Sequence, residues 1–169
     1  RAVVAAYAGT TRTASTLAPA LDALLVSRPG AAVWLLWPAN VPCPGGLDRR
    51  PVGRIDYPVP DECGVPSERE RAATLRRAAQ DAVSSIAALE ACAALVFTEP
   101  GREPYLPAYL CYLAGVPHRA AFSAEFGGRV LSAVFPPPDD EGAARHLELL
   151  RVSHSLLEAA TARSAKCAL

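Results

Sequence analysis

Apolar and polar positions alternate in blocks along this chain, and the blocks change period. Ala2–Ala8 is an unbroken apolar run that stops at Gly9, as expected of a strand buried on both faces. After the polar stretch Gly9–Thr13, Leu17, Leu21, Leu24 and Leu25 share one helical face. A helix beginning near Ser15 accommodates Pro19 in its first turn, where no hydrogen bond is lost, and Pro29-Gly30 ends it. Ala31–Trp37 then reads as a second buried strand. Strand, helix and strand follow one another closely enough for a βαβ unit.

Residues 38–66 are rich in proline and read mostly as loop, with Arg54–Tyr57 as one short strand. Ser67 and Glu70 form a capping-box pattern ahead of a helix that carries Leu75, Ala79, Val83, Ile86 and Leu89 and runs to about Glu90. Ala93–Phe97 is the next buried strand. Pro104 opens an apolar helix closed by Gly115, His118–Phe122 is strand-like, and Val130–Phe135 is apolar again. Pro136-Pro137-Pro138 is a stiff connector. The last helix is expected to start near Asp139 or Asp140, with Ala143, Leu147, Leu150, His154 and Leu157 in line. Strands alternating with helices over short turns predict an α/β domain with a mostly parallel sheet.

Composition narrows the class. The chain has 169 residues, 51% of them hydrophobic, with 17 Lys+Arg against 17 Asp+Glu. That is the size of one globular domain, too apolar for a disordered chain. No run approaches the ~18 apolar residues of a membrane span. Zero net charge argues against nucleic acid as the main partner, because phosphate binding needs an excess of Lys and Arg on one face. Lys166 is the only lysine, and this Arg-, Ala- and Pro-rich usage points to GC-rich, bacterial coding. The first residue is Arg1 and no signal-peptide pattern follows it, so a cytoplasmic location is the expectation. Cys43, Cys63, Cys92, Cys111 and Cys167 are widely spaced without a C-x-x-C pair, and the three histidines do not cluster with them. Structural thiols are expected, and no metal site.

In an open parallel sheet, ligands bind beyond the carboxyl ends of the strands. That rule nominates three loops: Gly9–Ser15, Thr98–Tyr105 and Ser123–Arg129. Thr10, Thr11, Thr13 and Ser15 give the first loop hydroxyls, and its amides precede a helix, a composition suited either to an anion or sugar hydroxyl or to ordinary helix capping. It holds neither a dinucleotide fingerprint nor a Walker loop. In the third loop Glu125 precedes Phe126-Gly127-Gly128, where paired glycines permit close approach to a ligand. Glu99 and Glu103 in the middle loop are a second source of carboxylates, although loop glutamates are more often solvated. His154, on the apolar face of the last helix, reads as a core or interface histidine. No G-x-S-x-G elbow is present.

The run YLPAYLCYLAGVPHRAAFSAEFGGRVLSAVFPPPDDEGAARHLELL, residues 105–150, resembles the second half of the N-terminal domain of glycosyltransferase family 9, the heptosyltransferase-like enzymes. TLAPALDALLVSRPGAAVWLLW resembles the start of that domain. The resemblance implies a Rossmann-like domain spanning residues 1–169, the acceptor-side half of a GT-B enzyme. Residues 136–169 would be a connector and helix leading to a donor domain outside this sequence. It further implies inverting transfer of a sugar from a nucleotide-sugar donor to a glycan or small hydroxylated acceptor, with no cofactor. Thr10, Thr11, Arg12, Ser15, Pro104, Tyr105, Ser123, Phe126, Gly127 and Gly128 would then bind the acceptor. The family's catalytic base is the aspartate of a Gly-Asp pair, and counting back from the proline of the first helix places that pair on Arg12 and Thr13. Threonine is no base at neutral pH. Either Glu125 or another carboxylate takes the role, or the protein is an inactive relative that keeps a binding cleft.

Overall fold

The computed structural model describes residues 2–45, 47, 52–59, 68–125 and 128–166. Six strands form one sheet: β1 (Ala2–Ala8), β2 (Ala32–Pro38), β3 (Val52–Tyr57), β4 (Ala93–Thr98), β5 (His118–Phe122) and β6 (Ala133–Phe135). Their order is β3-β2-β1-β4-β5-β6, and every pairing is parallel. This is the doubly wound Rossmann order, whose direction of winding reverses between β1 and β4. The uninterrupted apolar runs have their reason here. Ala2–Tyr7 and Ala93–Thr98 are wholly buried because helices cover both faces of the centre.

Alternate residues of β1 serve two cores. Val3, Ala5 and Tyr7 pack toward α1 (Ala18–Ser27), α4 (Gly142–Val152) and α5 (His154–Lys166). Ala2, Val4 and Ala6 pack toward α2 (Glu68–Ala88) and α3 (Tyr105–Leu113). At the β2–β3 edge, the Trp34 ring lies where a Cβ on Gly53 would be, so glycine is what lets the two strands pair beneath that ring.

Several expectations need correction. The first helix does not begin at Ser15: a 3₁₀ turn over Ala14–Leu17 comes first, and Pro19 falls in the first turn of α1. Of Val130–Phe135 only the last three residues are strand. Arg119 holds the preceding segment in a turn, donating to the carbonyls of Arg129 and Val130 while also reaching those of Val116 and Pro117. The last helix starts at Gly142, not at Asp139 or Asp140, and is two helices. The helix breaks at Ser153, whose backbone leaves helical geometry and whose hydroxyl turns back onto the Leu149 carbonyl. The break rotates His154 out of the apolar line. It is exposed and paired with Glu158, at 3.2 Å, while Leu157 and Ala160 face the core. Ser67, half of the capping box, lies outside the described residues, as do Cys63 and Cys167. Cys92 and Cys111 are buried free thiols, and burial pushes Cys111 up to about 12.

Candidate functional site

Because all six strands run the same way, their carboxyl ends form one edge, from which α2 and α3 depart. A cleft of about 570 Å³ opens along it. Gly9, Thr10 and Thr11 after β1 wall one side, and Asn40 and Val41 after β2 lie beside them. Tyr57 and Val59 close the β3 end, while Arg102, Glu103, Leu106 and Pro107 form the wall on the α3 side. The lining mixes hydroxyl, amide, one cation and one carboxylate with aliphatic surface.

At the β1/β4 reversal a hydrogen-bonded group fixes the first loop. Glu99 Oε1 accepts from the Thr10 backbone N–H at 2.5 Å, the Thr10 hydroxyl at 3.1 Å and the Tyr7 hydroxyl at 2.9 Å. Tyr7 also lies 2.8 Å from Thr13 Oγ1 and 3.1 Å from the Thr10 carbonyl. A phenol has one proton, and the charged acceptor is the strongest competitor for it. Tyr7 therefore donates to Glu99 and Thr13 donates to Tyr7. Burial raises the Tyr7 pKa above its ordinary value; the Thr13 bond opposes this and the Glu99 carboxylate adds to it. Gly9 permits the whole arrangement, since a Cβ there would overlap both the Tyr7 hydroxyl and Glu99 Oε1.

Behind this group the packing is aromatic. Trp37 stacks on Tyr7 with ring centres 4.7 Å apart and donates its indole N–H to the Val41 carbonyl at 2.7 Å, which ties the β2 loop to the same point. Tyr57 donates to the Tyr7 carbonyl at 2.8 Å. His146 of α4 is buried edge-on to Tyr7 and Phe97, and among the described residues its Nε2 has no hydrogen-bond partner. Burial, reinforced by the neighbouring Arg145 charge and opposed by Glu99, pushes it down to about 4. Arg145 donates to the Thr98 carbonyl at 3.0 Å and covers the Phe122 ring.

The residues nominated from sequence fall into two groups. Thr10 and Thr11 line the cleft; Thr13 sits in the Tyr7 group; Arg12 and Ser15 are exposed on the same loop. Tyr105, Ser123 and Glu125 come together at the start of α3 and the end of β5. The Tyr105 hydroxyl is 3.1 Å from Ser123 Oγ and 3.5 Å from Glu125 Oε2, and Ser123 Oγ accepts the Glu125 N–H at 3.1 Å. Pro104 is buried as the residue before α3. Phe126 and Gly127 lie outside the described residues. Gly128, with φ of 55°, leads into the turn gripped by Arg119. Sequence reasoning passed over Tyr7, Asn40, Tyr57 and Arg102, and set Glu99 between a second carboxylate source and a solvated loop side chain; it is half-buried with three donors on one oxygen. The one available signal was a lone hydroxyl, Tyr7, at the carboxyl end of an otherwise aliphatic strand.

No protein family's sequence profile matches the chain, and no curated protein matches it. Solved structures do. The chain is similar to the E. coli ADP-heptose lipopolysaccharide heptosyltransferase II, with a TM-score of 0.56 and 16% identity over 88% of this chain and 40% of that one. It is similar to MurG of Acinetobacter baumannii, with a TM-score of 0.56 and 19% identity over 84% of this chain and 44% of that one. At such identities the likeness is one of fold. The chain has the Rossmann-like α/β fold found in these GT-B glycosyltransferase structures, and it spans about two fifths of the length of each. No helix among the described residues is long and apolar enough to cross a membrane.

Proposed function

We propose that the chain is the acceptor-side domain of an inverting, heptosyltransferase-like glycosyltransferase. It takes a glycan or a small hydroxylated acceptor, while a second domain grips the nucleotide-sugar donor. The observation that carries this reading is the cleft at the β1/β4 reversal, on a fold shared with glycosyltransferases, walled by Thr10, Thr11, Asn40, Arg102 and Glu103. Neutral hydroxyls and an amide suit the hydroxyls of a sugar ring, and Leu106 and Pro107 suit its apolar face. In the first loop the Thr10 amide, already given to Glu99, is not available to a phosphate. Tyr105, Ser123 and Glu125 extend the acceptor surface toward β5. In this reading the protein works in the bacterial cytoplasm without a cofactor, and the segment from residue 136 leads on toward the donor domain after α4 and α5 have packed against this one.

The test is a titration of the ¹⁵N-labelled chain. Methyl glycosides and short oligosaccharides are expected to shift the amides of Thr10, Thr11, Asn40 and Arg102, while ADP- and UDP-sugars bind only weakly. A low-micromolar dissociation constant for a nucleotide-sugar would sink this division of labour. A second reading, a catalytically inactive binding or assembly domain, is favoured by Thr13, whose hydroxyl is spent on Tyr7 and supplies no base.

A further inference from the structure

We propose that Glu99 is the general base of the transfer, with Tyr7 and Thr10 as its positioning residues. This inference rests on the transferase reading above. An acceptor hydroxyl attacks an anomeric carbon efficiently only if a group of suitable basicity removes its proton during attack, and that group must be held in place beforehand. Among the described residues of the loops after β4 and β5, Glu103 lines the cleft, Glu99 lies behind the lining residue Thr10, and Glu125 follows β5. Glu103 is exposed on the α3 side, and Glu125 is exposed with a single loose contact of 3.5 Å to the Tyr105 hydroxyl. Glu99 alone is fixed. Its Oε1 is held by two donors from Thr10, a wall residue of the cleft, and by the Tyr7 hydroxyl, which is itself locked by Thr13 and by the Trp37 stack. Among the described residues its Oε2 has no partner, and the side chain is only half-buried. One oxygen is thus anchored and the other is free to accept a proton, at the point where the sheet's winding reverses.

The step balances without another reactant than the nucleotide-sugar. Glu99 Oε2 takes the proton of the acceptor hydroxyl, and the hydroxyl oxygen forms the new bond to the anomeric carbon. The bond from that carbon to the nucleoside diphosphate breaks, and its electron pair leaves with the diphosphate. The protonated Glu99 then returns its proton to water.

The experiment is Glu99→Gln in the protein expressed from its whole reading frame. Nucleoside diphosphate release is followed from ADP- and UDP-sugars with methyl glycosides as acceptors. Glutamine keeps a carbonyl oxygen to accept the Thr10 N–H but cannot take a proton, so it separates base from scaffold. The expected result is a fall in kcat of at least about 100-fold with KM unchanged, and loss of the acidic limb of the pH profile. Among the described residues, the other titratable groups that interact with Glu99 are Tyr7 from β1 and His146 from α4; the acidic limb must persist in His146→Leu. Activity of Glu99→Gln within threefold of wild type, an acidic limb that vanishes with His146, or a hundredfold loss in Glu125→Gln alone each overturns the assignment. A wild-type protein that releases no diphosphate, while its cleft amides respond to no glycoside, overturns the transferase reading itself.

Discussion

His146 shows how much one side chain can reveal about its surroundings. Its imidazole is buried beside aromatic rings, and its Nε2 has no partner among the described residues; burial, with the Arg145 charge, pushes its pKa down to about 4, below the ordinary 6.5. Between those values the unfolded chain binds more protons than the folded one, so stability rises with pH across the window and is lost as pH falls from 6.5 toward 4. The full effect is on the order of 3 kcal/mol. Urea unfolding at a series of pH values should show this slope, and His146→Leu, which sacrifices no hydrogen bond at Nε2, should flatten it; an unchanged slope would mean that another group titrates. His146 was not legible as a site neighbour from sequence, and Glu99 was legible only as a carboxylate in a nominated loop, not as the partner of Tyr7 and Thr10. Glu99 meets Tyr7 and Thr10 only after the chain has wound through three strands, and a polar loop residue carries no local mark of a partner that distant. Thr10 and Thr11 were legible, because hydroxyls just beyond a strand end follow a rule of position.

Elements were readable wherever a period persisted. The helical stripe of α2 and the apolar runs of β1, β2 and β4 hold over enough residues to dominate any local conflict. Reading failed where one side-chain-to-backbone bond decided the matter. The hydrophobic line through Leu147, Leu150 and Leu157 continues across Ser153, but the backbone does not. Similarly, Val130 and Leu131 look like the start of β6 until Arg119 claims the adjacent carbonyls. Arg119 is buried, and among the described residues four carbonyls rather than a carboxylate satisfy its guanidinium. Arg119→Met keeps an aliphatic side chain but removes those bonds and the guanidinium's contact with the Tyr112 ring. The expected cost is about 1–3 kcal/mol in urea unfolding, with faster amide exchange in residues 128–132. Unchanged exchange there would show that the turn is held by Val130 and Leu131 packing alone.

For the whole molecule, alternation of strand and helix was enough to give a parallel α/β sheet, since parallel neighbours require crossovers and helices supply them. Strand order was a different matter: β1 lies at the centre only because the winding reverses, and nothing within Ala2–Ala8 announces that. Neutral charge fits the same picture, with a cleft of hydroxyls and one opposed pair, Arg102 and Glu103, at its wall. The central place of β1 also governs the order in which the chain can fold. Val3 to Ala8 pair on one side with residues 93–98, so a nascent chain leaving the ribosome carries a strand whose Val3–Tyr7 are fully buried in the fold long before the partner that covers it exists. A chain ending at residue 92 should therefore show no dispersed amide spectrum and be digested at once by protease, whereas one extended through β5 should gain protection; a folded 92-residue fragment would show that β1 and β2 suffice. During synthesis, the wait for β4 leaves an aliphatic strand edge exposed to other nascent chains, which makes this interval the one in which a chaperone has most to do.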